Sequence, residues 1–219
     1  MKTGEKFFHT CCLSFAIGLV LLTSVAAFGQ AESDPWLILG GGEKGPIGVH
    51  VSRGDLVRAY GASNVVDREV DVGEGATDLA TILFPNDPER SIEILWKDPA
   101  TKTAPRSATI RGEKSRWHAA HGISLGTSLS ELQRLNGKPF PVSGYGTDQP
   151  GAILSWHHGL LERDLQSDGF VILRLNCRQK RGTPSPHLSL IEGDSDDPRL
   201  QKLGLYVDEI NWGFPTPVQ

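Results

Sequence analysis

The chain has 219 residues, of which 38% are hydrophobic and 22% are charged, and its formal net charge at pH 7 is −4. This apolar share is too high for a wholly disordered protein, and the 25 glycines follow no collagen-like period. The acidic balance argues against a protein that binds nucleic acid through bulk positive charge, which leaves one globular domain or two small ones that share a core.

The first 29 residues are typical of a secretory signal peptide. Lys2 and Lys6 precede an apolar run from Cys11 to Phe28, and small residues occupy the end of that run at Val25–Ala27. The run is shorter than the roughly 20 residues that a membrane-spanning helix needs, and polar residues follow it at once. We therefore expect cleavage of residues 1–29 and a secreted or periplasmic protein with no membrane span. An uncleaved anchor is the alternative.

Cleavage would change both the charge and the thiol content of the chain. The removed segment carries a net charge of +1, so the mature chain has a net charge of about −5. Cys11 and Cys12 leave with the signal, and Cys177 alone cannot form an internal disulfide. A lipid-modified cysteine would follow the apolar run, whereas these two precede it, so we do not predict a lipoprotein.

Two ten-residue segments of the mature chain match without gaps at a shift of 76 residues. Residues 52–61 (SRGDLVRAYG) and 128–137 (SLSELQRLNG) share a serine, an acid, a leucine, an arginine and a glycine at the same places. Each segment predicts a helix of about two turns. Because a helix of that length is marginal alone, its leucine face must pack on another element.

Each segment carries signals for both ends of a helix. The serine and the acid three residues later have the capping-box spacing, in which the hydroxyl accepts from a backbone N–H and the acid reaches back to the cap. The glycine at the tenth position can adopt the left-handed conformation that ends a helix. Three residues apart on one face lie Leu56 and Ala59, and likewise Leu132 and Leu135. The predicted caps are Ser52, Asp55, Gly61, Ser128, Glu131 and Gly137.

Strand-like segments follow each helix, with residues 92, 94 and 96 predicted to share a buried face. Residues 97–106 and 180–200 are rich in Pro, Ser and charge and predict loops. The order predicts an α+β fold of two tandem repeats, residues 30–116 and 117–219, each a short helix packed on an antiparallel meander sheet. The predicted strands cover residues 65–72, 79–84, 91–96, 109–110, 152–156, 170–175 and 207–212.

The second helix region resembles the BamE/SmpA-like class of exported bacterial domains. Residues 122–128 (GISLGTS) followed by residues 135–139 (LNGKP) carry the resemblance, and the tandem arrangement is similar to that of β-lactamase-inhibitor proteins. The resemblance implies a protein that binds other proteins or supports the envelope, rather than an enzyme. The lipidated cysteine and the disulfides of those proteins have no counterpart here. No partner-binding residue is carried over, since the matching positions are helix caps and core.

Other motifs carry little chemistry. Residues 40–45 (GGGEKG) match a dinucleotide fingerprint, but no helix opens directly after them, so we interpret them as a flexible loop and predict no cofactor. His118 and His121 lack further ligands in their vicinity, so no metal site is predicted. The acidic residues 192–197 lack the EF-hand spacing and therefore predict a solvated loop. Calcium binding by this segment is left open. Cys177 follows an apolar strand and is not expected to be a nucleophile.

Aromatic and histidine side chains after the second helix are the best candidates for binding. Phe140 and Trp156 are expected in the core, whereas Tyr145, His157 and His158 are expected at the surface among glycines. We therefore predict a non-enzymatic exported protein that binds another envelope or secreted protein and no nucleic acid. The alternatives are a secreted hydrolase that uses His157, His158 or an acidic residue, and a purely structural envelope protein.

Overall fold

The computed structural model describes residues 34, 36–37, 47–73, 75–144, 150–166, 170–177 and 192–215. The predicted signal (residues 1–29) and the glycine-rich segment (residues 40–45) lie outside the described residues. Short 3-10 helices span Ala62–Asn64 and Ala120–Gly122. The helices are α1 (Arg53–Tyr60), α2 (Leu129–Asn136), α3 (Leu160–Gln166) and α4 (Pro198–Gln201). The strands are β1 (Val65–Gly73), β2 (Ala76–Leu83), β3 (Ile92–Asp98), β4 (Thr103–Arg111), β5 (Pro141–Val142), β6 (Ala152–Ile153), β7 (Phe170–Cys177), β8 (Gly193–Asp194) and β9 (Leu205–Gly213).

The predicted α+β class with an antiparallel sheet is confirmed. Seven strands form one sheet in the order β1-β2-β3-β4-β9-β7-β6, and every neighbouring pair is antiparallel. Strands β5 and β8 form a separate antiparallel pair. The first four strands follow one another as a meander, whereas β9 lies between β4 and β7. None of the described helices is long and apolar enough to cross a membrane.

The helices cover one face of the seven-stranded sheet. Ile92, Ile94 and Trp96 are buried, as their alternation predicts, and they belong to one hydrophobic cluster with Leu56 of α1 and Leu132 of α2. The helices are too short to be stable alone, so burial of these leucines on the sheet is what stabilises them. The opposite side of the sheet, which we call the open face, carries the intervening residues of each strand.

The loop predicted at residues 97–106 is reduced to a turn at residues 99–102, because β3 continues to Asp98 and β4 begins at Thr103. Asp98 closes a tight turn by accepting hydrogen bonds from the N–H groups of Ala100 (3.0 Å) and Thr101 (3.1 Å). Pro105 is accommodated because it lies at a bulge opposite Trp96, before β4 begins to pair with β9 at Ser107. A proline at that position has no ladder hydrogen bond to lose.

Helix α1 has the complete capping box that the sequence predicts. The N–H of Asp55 donates to Ser52 Oγ (3.2 Å), and the N–H of Ser52 donates to Asp55 Oδ2 (2.9 Å). Leu56 is buried, but the expectation for Ala59 is wrong: it is exposed, and Tyr60 packs against the core in its place. Gly61 has a positive φ of 83°, yet its ψ of 149° is not left-handed helical, because the chain enters a 3-10 helix at once.

Helix α2 has half of the predicted box. The N–H of Glu131 donates to Ser128 Oγ (3.2 Å), and Gly137 adopts the left-handed conformation as predicted (φ 72°, ψ −1°). Glu131 does not reach back to the cap, because both of its oxygens accept hydrogen bonds from Arg134 at 2.6 and 2.8 Å. Leu132 is buried and Leu135 packs against the core.

The second half departs most from the sequence prediction. The strand expected at residues 152–156 is shortened to β6, and the helix α3, which the sequence analysis missed, follows it. Leu161 and Leu165, one helical turn apart, are buried and hold α3 on the core. The loop predicted over residues 180–200 contains β8 and the start of α4 within its described part.

A buried asparagine joins α2 to α3. Asn136 is 1% exposed, and its Nδ2 donates to the carbonyl oxygens of Lys138 (2.8 Å) and Trp156 (3.0 Å). Its Oδ1 accepts from the N–H of Leu161 (3.3 Å), near the start of α3. A Cβ atom on Gly159 would lie 2.0 Å from this Oδ1. We call this set of hydrogen bonds around Asn136 the hub. It requires both an amide at position 136 and a glycine at position 159.

Gly159→Ala is predicted to destabilise the protein by roughly 2–4 kcal/mol, because the new methyl group displaces a buried and fully hydrogen-bonded amide. The matched control is Gly54→Ala in α1, where the nearest atom to a new Cβ is 3.6 Å away. That variant is expected to be neutral or more stable. Urea denaturation measures both, and equal midpoints for the two variants would contradict the proposed hub.

The two caps are predicted to respond differently to removal of the acid. Ser52→Ala and Ser128→Ala should each cost about 1 kcal/mol. Asp55→Ala should destabilise more than Glu131→Ala, because only Asp55 bonds the cap backbone.

Hydrogen bonds from the Ser52 side chain and backbone lower the pKa of Asp55. The stability that Asp55 contributes is therefore complete above the pKa of about 4 that it has in the unfolded chain. It is lost as the pH falls through the lower pKa of the folded chain. Denaturation of wild type and Asp55→Ala at pH 7 and pH 2.5 should show a gap that narrows in acid, and a constant gap would refute the argument.

Candidate functional site

A row of six side chains crosses the open face from β1 to β7. The strand register places each residue directly opposite the next, so all six share this face. Both ends of the row are apolar and its centre is polar, where the amide of Asn211 donates to Thr109 Oγ1 at 2.6 Å. In sheet order the row consists of Val66, Ile82, Glu93, Thr109, Asn211 and Ile172.

A second row places charges side by side on the neighbouring strands β4, β9 and β7. Arg111 of β4 lies opposite Glu209 of β9, and Glu209 lies opposite Arg174 of β7. Arg111 Nε donates to Glu209 Oε2 at 2.8 Å, and its Nη1 donates to Glu93 of β3. We call Glu93, Arg111, Glu209 and Arg174 the charge quartet.

The quartet holds Arg111 firmly in the charged state. Burial opposes the charge of the guanidinium, but the two carboxylates of Glu209 and Glu93 outweigh it and raise the pKa of Arg111. Glu209 is the least exposed member, with 15% of its side chain accessible. Each carboxylate of the quartet is thus already engaged with Arg111.

Arg174 is the least satisfied member of the quartet. Its Nε lies 3.6 Å from Glu209 Oε1, and within the described residues this buried nitrogen has no hydrogen-bond partner. The distance exceeds that of a good charge-assisted hydrogen bond. Since Arg111 contacts two carboxylates and Arg174 only one, the positive charge of the quartet is compensated unevenly and remains strongest at β7.

Phe170 presents an aromatic ring at the other end of β7. It lies directly opposite Gly213 of β9, and 49% of its surface is exposed. A Cβ atom on Gly213 would lie 2.3 Å from the Phe170 ring, so the ring rests on the bare backbone of this glycine. Phe170, Ile172 and Arg174 alternate along β7 and therefore face the same side.

The charge quartet, together with Thr109, Asn211 and Ile172 of the first row, lines a broad concavity on the open face. Its volume is about 1210 Å³, and β1 and β2 contribute its far wall through Val70, Val72 and Ala76. Val72 is 44% exposed. Among the described residues, Pro150 is the one lining residue that comes from outside the sheet strands. The concavity combines exposed apolar side chains with charges that are held in place by one another.

His157 and His158, two of the three residues that the sequence predicted for binding, do not lie among the described lining residues. They form an exposed turn between β6 and α3, with positive φ values of 48° and 56°. The N–H of Gly159 closes that turn on the carbonyl of Trp156 at 2.9 Å. Tyr145, the third predicted residue, lies outside the described residues.

His158 makes a surface contact with Glu162 of α3. Its ring Nδ1 lies 3.5 Å from Glu162 Oε1, and its backbone N–H donates to the same carboxylate. Leu160, nearby in sequence, is 68% exposed. Phe140 and Trp156 are fully buried as predicted, with ring centroids 4.8 Å apart.

The other candidate motifs are occupied by structural contacts. His118 Nε2 lies 2.9 Å from Asp34, and His121 Nε2 lies 2.7 Å from Asp164. The hydrogen bond from His121, followed by that from Arg163, lowers the pKa of Asp164. Cys177 is a buried free thiol. No group of three or more His, Cys, Asp or Glu side chains among the described residues could hold a metal ion.

The acidic segment at residues 192–197 contains secondary structure where the sequence predicted a loop, while Glu192, Asp194 and Asp196 are exposed, as expected of a solvated segment. Asp194 lies in β8, and Asp197 caps α4 by accepting from the N–H of Arg199 at 2.8 Å. Ser195 is fully buried, and its N–H and hydroxyl bond the backbone of Phe140. The side chain of Asp197 is further occupied by the guanidinium of Arg199.

Sequence reasoning missed the charge quartet and the concavity. The alternation in residues 107–111 and 207–212 was a usable signal, since it separates Arg111 and Glu209 from the buried isoleucines beside them. The missing information was that β9 lies beside β4. Without that neighbour, nothing in the sequence places Arg111 opposite Glu209.

Comparisons with known proteins add no identity to this geometry. No family model matches the chain, and searches of the curated proteins and of the solved structures found no match. The functional argument therefore depends on the residues of the open face themselves.

The contact between Phe170 and Gly213 makes a spectroscopic prediction. The aromatic ring over Gly213 should shift its Hα resonances upfield, and Phe170→Leu should return them toward ordinary glycine values. Gly213→Ala should displace the ring into solvent while the protein stays folded, because the obstructed atoms belong to a half-exposed side chain. Unshifted Gly213 Hα resonances in the wild-type NMR spectrum would contradict this arrangement.

Proposed function

We propose that this chain is an exported, non-enzymatic protein that binds a protein partner on the open face of its sheet. The export step is supported by the sequence of residues 1–29, with its positive start, apolar centre and small residues before the expected cleavage site. The resemblance of residues 122–139 to exported BamE/SmpA-like domains supports the same compartment.

We further propose that the chain consists of two related α+β repeats. Helices α1 and α2 each have eight residues and a serine N-cap. Ser52 forms an isolated bridge with Thr103 in β4, and Ser128 forms one with Tyr206 in β9. In each half, the helix start is thereby joined to the beginning of the last strand of that half. These two strands then pair with one another at the centre of the sheet.

The observation that carries the binding proposal is the concavity on the open face. It exposes Val72 and part of Ile172 to solvent beside the charge quartet, and the exposed ring of Phe170 lies on the same face of β7, outside its described lining. Exposed apolar side chains around a concave surface favour a partner that buries them. The quartet adds directional polar groups that fix the orientation of such a partner.

The chemistry of the face favours binding over hydrolysis. Glu93 and Glu209 are both engaged with Arg111, and the described part of the lining contains no serine, cysteine or histidine. His157 and His158, which the hydrolase alternative would use, lie on an exposed turn outside that lining. A nucleophile with a positioned base is what a hydrolase needs.

Site-specific photocrosslinking tests the proposal. A photoreactive phenylalanine analogue at position 172 or 70 of the full chain, produced in a Gram-negative host or added to envelope extract, should give a discrete protein adduct. The matched control carries the analogue at position 58, on the helix side of the sheet, and should give none. N-terminal sequencing of the secreted protein should begin near residue 30. Identical adduct patterns at all three positions, or no adduct, would overturn binding through the open face.

A further inference from the structure

We propose that the open face recognises an extended partner segment that places a carboxylate on Arg174 and apolar side chains over Ile172 and Phe170. The inference rests on the proposed function, since it names the kind of partner that the same surface would take. It is carried by the uneven pairing of the charge quartet and by the alternation along β7.

The quartet divides into a negative part and a positive part. Glu93, Arg111 and Glu209 are bonded to one another and together carry a net charge of −1, whereas Arg174 carries +1 at the β7 end. Among the described residues, the one ion pair of Arg174 is the 3.6 Å approach of its Nε to Glu209 Oε1. That Nε is buried and makes no hydrogen bond with any described residue. An arginine has five N–H donors in a planar fork, and 36% of this side chain is exposed, so its accessible part can donate to a carboxylate of a partner.

The residues around Arg174 fix the position of its side chain. Glu209 is mostly buried and is fixed on its other side by Arg111 at 2.8 Å, so it cannot swing toward Arg174 without giving up that bond. Arg174 itself keeps 36% of its side chain exposed to the concavity. A partner carboxylate would thus meet an arginine whose position is set by the sheet, which reduces the entropy lost on binding.

The spacing along β7 specifies the shape of the partner segment. Successive residues on one face of a strand are about 7 Å apart, which separates the Phe170, Ile172 and Arg174 side chains at regular steps. An extended partner segment has the same period, so an acid, an apolar residue and an aromatic or apolar residue at alternate positions would match the three in order. Phe170 offers its ring for such a contact because Gly213 supports it from beneath.

A carboxylate fits this surface better than a phosphate does. Arg174 is the one cation of the quartet with incomplete pairing, and Glu209 stands directly opposite it on β9. The second negative charge of a phosphate would face that carboxylate without a further cation to balance it. A single carboxylate adds one negative charge beside Arg174, whose positive charge is only partly compensated by Glu209.

A peptide-display experiment tests the inference. A random phage-displayed peptide library is selected on the full chain, on Arg174→Gln and on the matched control Arg58→Gln, whose arginine is on α1. The wild-type protein and the control should enrich peptides with Asp or Glu two residues from an apolar or aromatic residue. Arg174→Gln should lose the acid preference and keep the apolar one.

Synthetic peptides make the result quantitative. The best acidic peptide should bind the wild-type chain about tenfold more tightly than its Glu→Gln analogue, as expected for one charge-assisted hydrogen-bonded contact. The two peptides should bind Arg174→Gln equally. If Arg174→Gln does not fold, Arg174→Lys replaces it, and the preference should then fall without vanishing because the charge remains but the fork is lost.

The outcomes separate this inference from the proposed function. Peptides that bind the open face without any acid preference, or that prefer phosphorylated residues to acids, would overturn the inference alone. Binding of the selected peptides to the Ile172→Asp variant identifies the face, since that variant should bind none of them. Selected peptides that bind Ile172→Asp as well as wild type, or a failure to enrich any peptide, would overturn both.

Discussion

The pairing of β4 with β9 is the constraint on which the sheet depends. It joins the four-strand meander to the strands of the second half, and its register runs from Ser107 opposite Gly213 to Arg111 opposite Glu209. Because side chains alternate between the faces of a strand, a slip of one residue would turn Ile110 and Ile210 to solvent and the charges into the core. Burial of the isoleucines on one side thus fixes the polar contacts on the other.

The pairing of β4 with β9 also explains why the open face tolerates so many charges. Arg111 is partly desolvated on the sheet surface, where 43% of its side chain stays exposed, and this loss of hydration is unfavourable for an unpaired cation. Two carboxylates from different neighbouring strands offset that penalty, and both reach Arg111 only because β3 and β9 flank β4. The charge quartet is therefore a product of strand order.

Local features of the fold could be read from the sequence more completely than the candidate site. The serine caps, the helix bounds near residues 53–60 and 129–136, and the alternation at Ile92, Ile94 and Trp96 depend on neighbours within a few residues, and they are present. The prediction that Ala59 faces the core was wrong because burial depends on the direction in which the helix lies on its sheet. The prediction that Glu131 bonds the cap was wrong because Arg134 competes for its carboxylate. The open face needed the order of strands far apart in sequence, and no local pattern contains that order. Asn136 had a local signal in its position before Gly137, but its partners Trp156 and Leu161 come from the following elements.

The position of β9 has a consequence for how the chain acquires its structure. This strand is the last of the nine along the described chain, yet it occupies an interior place with β4 on one side and β7 on the other. Until residues 205–213 insert between them, β4 and β7 each keep an edge of unpaired backbone groups, and Ile110 and Ile210 remain exposed to water. Closure of the sheet therefore depends on contacts between residues far apart in sequence, which is the kind of topology that folds slowly.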